Sequence, residues 1–417
     1  MQEIVISDLR DPQRDRREQA TFEFAVGLDV DLDADGIVAE AQAATGLSDV
    51  GDPTLIDRLR AQVDAVEADV GLNGLGRLII RRRLLGLYRS RLRFEEYVKR
   101  HPEALEVELD PPVIVVGLPR SGTTHLVNLL AADNRFRSMP WWEVIEPTPF
   151  AGDGPGPDGV DPRYARCLAD YELSGAHDPV MVAAHDRPPS SIEEDCELMD
   201  LDLCSYTLEW HARVPRWRDH YLTLDQDAHY AFLRRQLQVL SYLRGPNRWV
   251  LKTPQHLEQL GPLMRTFPDA TIALTLRDPV AVIQSAITML AYGDRLRRHE
   301  VDADGLASYW VDRIERLLRA AVADLDRIDL SRRTDVEFGA FMDDELGTVT
   351  RILDAAGIGM SERARDQLTA YIGTNPRGRN GRLLYDLRRD FHLEPAEVRE
   401  RFGFYFDAFP QVRPEVD

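Results

Sequence analysis

The residues from Gly117 to Thr124, within Pro111–Leu130 (PPVIVVGLPRSGTTHLVNLL), have the types and spacing to hold a phosphate. Gly117 and Gly122 bracket a four-residue turn, and Thr123-Thr124 open an apolar helix through Leu126, Leu129 and Leu130. The N–H groups of such a turn, with the positive end of the helix dipole, make an anion site. The spacing is that of the G-x-x-x-x-G-K-[ST] phosphate loop, but Thr123 stands where a nucleoside triphosphatase keeps its lysine. The cation inside the turn is Arg120. This combination predicts a nucleotide phosphate held without γ-phosphate chemistry. The plain alternative is a βα turn with no ligand.

Arg277-Asp278-Pro279 closes another apolar run, and Ser285 follows eight residues after Arg277, about two turns into the next helix. An arginine fork and a hydroxyl presented this way can share one phosphate. Alone, a strand-end arginine as often caps a carbonyl or pairs with an acid. The net charge of −20 argues against nonspecific nucleic-acid binding, so cations for an anionic nucleotide must be gathered locally. Arg81-Arg82-Arg83 and the arginines between Arg89 and Arg93 alternate with leucines at helical spacing and read as a solvated helix face.

The elements that must position these residues form two groups. Residues 1–108 read as a helical N-terminal region, a cap without a strand pattern, with 3.6-period stripes over Ile37–Ala44, Leu55–Val70 and Leu78–Lys99. From residue 109 to 417 strands and helices alternate: Val113–Val116, Arg248–Lys252, Thr271–Leu276 and Thr334–Phe338 are strands. Helices follow over Leu257–Arg265, Val280–Leu290 and Leu346–Ala356. That order means an α/β fold with a parallel sheet flanked by helices, whose ligands bind at the strand C-termini. Residues 163–245 are a helical insertion carrying Tyr206, Trp210, Trp217 and Tyr221, either an acceptor-pocket wall or a packing layer.

At 417 residues, 44% hydrophobic and 29% charged, the composition is that of a globular enzyme with a large core. No run approaches the roughly 18 apolar residues of a membrane span. The first twenty residues lack a signal-peptide core, so a cytoplasmic location is expected. Cys167, Cys196 and Cys204 have neither disulfide nor zinc spacing.

Taken in order, Gly117–Thr124, Lys252-Thr253, Arg277 with Ser285, and Arg377-Gly378-Arg379-Asn380-Gly381 resemble the sulfotransferases that use 3′-phosphoadenosine 5′-phosphosulfate (PAPS). The likeness is strongest to the bacterial group with GLPRSGTT and LKTPxHL, and it runs over essentially the whole chain. It implies that Pro119, Arg120, Ser121, Gly122, Thr123 and Thr124 hold the 5′-phosphosulfate and that Arg277 and Ser285 hold the 3′-phosphate. Arg377, Gly378 and Arg379 would close over that phosphate, and Lys252 would contact the sulfuryl oxygens. No metal is implied, which fits Thr123 in place of lysine. The product would be adenosine 3′,5′-bisphosphate (PAP), and the acceptor a hydroxyl of a small, partly apolar molecule.

Two residues compete for the general base. Glu143 lies near where tyrosine-protein and lipid-type members of that family carry a glutamate, and two tryptophans precede it in Trp141-Trp142-Glu143. His256 follows Lys252-Thr253 after an interval of two residues, where cytosolic members place a histidine directly. Ser191-x-x-Glu194 reads as a capping box, with substrate contact by Glu194 a secondary role. Glu337-Phe338 stands where the family often has a tyrosine. A P-loop nucleotide kinase and a non-catalytic nucleotide-binding protein are the rival readings. The first would need Mg²⁺; the second would bind PAP without transfer.

Overall fold

The computed structural model describes residues 3–154, 156, 159–174, 180, 187–246, 248–376 and 382–416. Its strands are β1 (Glu3–Val5), β2 (Asp110–Gly117), β3 (Arg248–Lys252), β4 (Thr271–Leu276), β5 (Arg333–Glu337) and β6 (Arg382–Leu384). Four of them form a parallel sheet in the order β3-β2-β4-β5, in which Ile114 lies opposite both Leu251 and Ile272. The β-branched run Val113–Val116 follows from the sheet having both faces covered. Val113 and Val115 enter a core with Leu126, Leu129, Val336 and Ile352. Ile114 and Val116 enter the opposite core with Leu251, Ile272, Ile283 and Ile287. Alternation along one strand thus feeds two layers of helices.

The N-terminal helices are α1 (Arg16–Gly27), α2 (Ala34–Thr45), α3 (Leu55–Glu67) and α4 (Gly74–Arg100). The expectation of no strand in this region is corrected by β1. Its three residues pair in parallel with β6, Glu3 opposite Arg382 and Val5 opposite Leu384. So short a run carries no period to read, and its partner lies far along the chain.

The arginines of α4 are not all a solvated face, a second correction. Arg91 is buried and donates to Asp202 at 2.6 Å, and Arg83 pairs with Glu197 at 2.5 Å and with Asp200. The acids come from the 163–245 insertion, so charge neutralisation replaces solvation for these side chains. Apolar residues of α2, α3 and α4 also share a core with Leu203, Leu208, Trp217 and Tyr221 of the insertion. Trp217 and Tyr221, read as candidate pocket residues, are packing.

Candidate active site

The phosphate loop begins at the end of β2, where Gly117 lies opposite Thr275 of β4. A side chain at Gly117 would meet Thr275 Oγ1 at 1.8 Å, so only glycine lets the strands pair there. Past it, Arg120 and Gly122 take left-handed backbone angles (φ 65° and 83°). Such turns are the backbone from which anion-binding nests are built. Ser121 braces the loop from inside: it is buried, its hydroxyl donates to the Leu118 carbonyl at 2.6 Å, and it lies 2.7 Å from Thr275 Oγ1.

Helix α5 (Thr123–Ala131) starts at this loop with Gly122 as its N-cap, and no side chain caps it among the described residues. The helices starting at Arg16, Ala34, Gly74, Gln226, Pro279, Ala303, Glu345 and Glu362 each have an Asp, Asn or Ser accepting from their first turn. The first amides of α5 thus have no side-chain acceptor among the described residues, as is also true of α3, and such a helix start can receive an anion.

Beside α5 opens a cavity of about 600 Å³. Pro119, Arg120, Thr123 and Thr124 form its loop end, and Glu194, Tyr206 and Trp210 come from the insertion. Met289, Leu290 and Leu296 line it from the helix Pro279–Arg297, and Leu75, Ile79 and Glu18 from the N-terminal helices. The N-terminal region is thus part of the cavity wall and more than a cap. Cys196 also borders the space; burial, then Glu194 and Glu197, raise its thiol well above the usual range.

Lys252, at the end of β3, is 2% exposed, and its Nζ reaches Thr124 Oγ1 at 3.3 Å and the Glu194 carboxylate. Thr253 Oγ1 donates to the other Glu194 oxygen at 3.4 Å. Glu194 was masked in the sequence by an apparent capping box that does not form. Ser191 Oγ instead donates to Glu193, and the short helix Cys196–Met199 has Asp195 at its N-cap with no side-chain bond. A signal existed in Glu193-Glu194-Asp195, an acidic run in a segment too buried for solvation, but only the fold shows which acid faces Lys252.

Neither residue expected as the base is placed at the cavity. Glu143 is fully buried beneath the sheet edge. Arg137 donates to its Oε1 at 2.9 Å and approaches Oε2 at 2.8 Å, while Arg244 donates to both oxygens at 3.2 and 3.0 Å. Two guanidiniums thus hold this carboxylate as a structural cross-link. His256 is likewise fully buried, with Nδ1 at 2.8 Å from the Tyr230 hydroxyl and Nε2 at 2.8 Å from Asp195 Oδ2. It belongs to the scaffold behind Lys252.

At the far end of β4, Arg277 and Ser285 each bond to Arg120 of the loop. Arg120 Nε donates to Ser285 Oγ at 3.0 Å, and Ser285 Oγ donates to the Tyr385 hydroxyl at 2.9 Å. Arg277 Nη1 donates to the Arg120 carbonyl at 2.6 Å, and its guanidinium lies 3.9 Å from the centroid of the Phe338 ring. Phe338 stands where the resemblance led one to expect a tyrosine, and it serves as the platform under Arg277. Tyr385 was not foreseen: it is a hydroxyl brought in from beside β6. Arg377, Gly378 and Arg379 lie outside the described residues.

The fold is a parallel sheet flanked by helices, with a glycine turn leading into an uncapped helix and a buried lysine beside a carboxylate. The chain belongs to the sulfotransferase family, whose pattern matches residues 111–362. It is 24% identical over 311 residues to the omega-hydroxy-beta-dihydromenaquinone-9 sulfotransferases Stf3 of Mycobacterium bovis and Mycobacterium tuberculosis. The match covers 71% of this chain and 76% of each relative. The crystal structure of sulfotransferase STF1 from Mycobacterium tuberculosis superimposes with a TM-score of 0.79 at 29% identity, covering 89% of this chain and 98% of that one. For STF9 from Mycobacterium avium the TM-score is 0.82 at 22% identity, covering 94% and 100%. Among the described residues no helix is long and apolar enough to cross a membrane.

Proposed function

We propose that this sulfotransferase moves a sulfuryl group from PAPS to a hydroxyl of a small, largely apolar acceptor. When bound, the donor supplies an activated sulfuryl group whose leaving group is PAP. The bonds of the buried Lys252 to Thr124 and Glu194, two residues that line the cavity, carry the reading, because they join a cation, the start of α5 and a carboxylate.

The roles follow from that placement. The first amides of α5 and Arg120 bind the 5′-phosphosulfate and stabilise charge developing on the bridging oxygen. Lys252 orients the sulfuryl oxygens from the buried side. Glu194, rather than Glu143 or His256, accepts the proton of the acceptor hydroxyl. Arg277 and Ser285 bind the 3′-phosphate, with Tyr385 beside them. Leu75, Ile79, Trp210, Met289 and Leu296 exclude water and hold an apolar body. The Stf3 relatives carry a hydroxylated menaquinone in their name, which agrees with an apolar acceptor here. The test is transfer of label from [³⁵S]PAPS to an alcohol extract with a chelator present. Labelled organic sulfate is expected; transfer from ATP that stops on chelation would assign a kinase instead.

A further inference from the structure

Arg277 and its neighbour Asp278 both hold the segment Val412–Val416. The Arg277 Nε donates to Glu415 Oε1 at 2.8 Å and its Nη2 to Glu415 Oε2 at 2.7 Å, a bidentate pair. Asp278 Oδ2 accepts the Glu415 N–H at 2.7 Å, and Arg399 donates to the Val416 carbonyl. Val412 is buried in the main core. The segment therefore leaves a fixed anchor and lays one carboxylate on one guanidinium.

The position of that carboxylate is informative. The Nη1 of Arg277 is already committed to the phosphate-loop carbonyl at Arg120, and Phe338 covers one face of the guanidinium. The edge formed by Nε and Nη2 is the one on which an anion can make two parallel bonds, and Glu415 is on it. A nucleotide phosphate bound by the Arg277 fork needs the same edge. The Glu415 side chain is 31% exposed and that of Arg277 19%, so the carboxylate can swing away without opening a core.

We propose that Glu415 is a further residue of the donor site: its carboxylate occupies the Arg277 edge that the 3′-phosphate takes, so carboxylate and phosphate exclude each other there. The inference rests on the donor reading above. Glu415 weakens the hold on any nucleotide with a 3′-phosphate, the product PAP included, and its return to Arg277 favours product release.

The experiment is isothermal titration of the full chain and of Glu415→Gln with PAP and with AMP, which has no 3′-phosphate. The exposed ion pair sets the scale of the effect, at about threefold to tenfold. PAP should bind the variant tighter by that factor, with AMP affinity unchanged. Equal or weaker PAP binding by the variant overturns the role of Glu415 and leaves the donor reading intact. An equal gain for PAP and AMP also overturns it, as a general charge effect. If neither protein binds PAP, the donor reading falls and this inference with it.

Discussion

Asp195 and Lys252 hold each other twice: the Lys252 N–H donates to Asp195 Oδ1 at 2.9 Å, and the Asp195 N–H donates to the Lys252 carbonyl at 3.3 Å. Both residues are buried, and His256 Nε2 lies 2.8 Å from the other oxygen of the same carboxylate. This stitch fixes the insertion to the end of β3 one residue away from Glu194. The proximity of Glu194 to Lys252 is therefore a consequence of the scaffold rather than of a flexible surface pair.

Glu194→Gln is expected to keep PAP affinity within about threefold and to lower turnover by about 10²–10⁴, the usual worth of a positioned base. Steady-state kinetics with [³⁵S]PAPS, beside a PAP titration, separates the two quantities. Turnover within tenfold of the wild type would remove Glu194 from the chemistry.

Glu143→Gln tests the opposite assignment. Breaking a buried carboxylate that two arginines share leaves uncompensated charge and costs about 3–5 kcal/mol. The variant should melt several degrees lower, while the folded fraction turns over at close to the wild-type rate. Near-normal stability with lost turnover would restore Glu143 as the base.

Glu193 gives a pH signature. Burial pushes its carboxyl up to about 7, opposed chiefly by Arg187 3.5 Å away. The unfolded chain titrates this group near the ordinary value of about 4.3, so between about pH 4.3 and 7 the folded state binds the extra proton. The stability this protonation contributes is complete below the lower value and is lost as pH rises to the upper one. Glu193→Gln keeps the neutral form throughout. Urea unfolding should show the variant near wild-type stability at pH 5 and gaining on it at pH 8, on the order of 2–3 kcal/mol. An unchanged difference between the two pH values would contradict the assignment.

Much of the fold was legible because its cause is local. β2, β3 and β4 announce themselves as short apolar runs, each followed by a turn and a helix, β5 as an alternating segment before a helix, and the loop after β2 as glycines at phosphate-loop spacing. Arg277 and Ser285 were legible for the same reason: one strand end and one helix fix their separation. What stayed hidden depends on distant partners. The burial of Glu143 comes from Arg137 and Arg244, that of Arg91 from Asp202, and β1 exists only because β6 is beside it. Glu194 looked like a helix signal because the capping pattern concerns neighbours in sequence, whereas its real partner, Lys252, arrives from β3. Tyr385 and Glu415 reach the Arg277 cluster from segments with no motif of their own.

The most direct measurement is a crystal structure with PAP. The account predicts the 5′-phosphate within hydrogen-bonding distance of the Thr123 and Thr124 amides and of Arg120. It also predicts the 3′-phosphate on Arg277 and Ser285 with Glu415 displaced. PAP bound elsewhere, or bound with no phosphate oxygen near Arg277 or the start of α5, would contradict it.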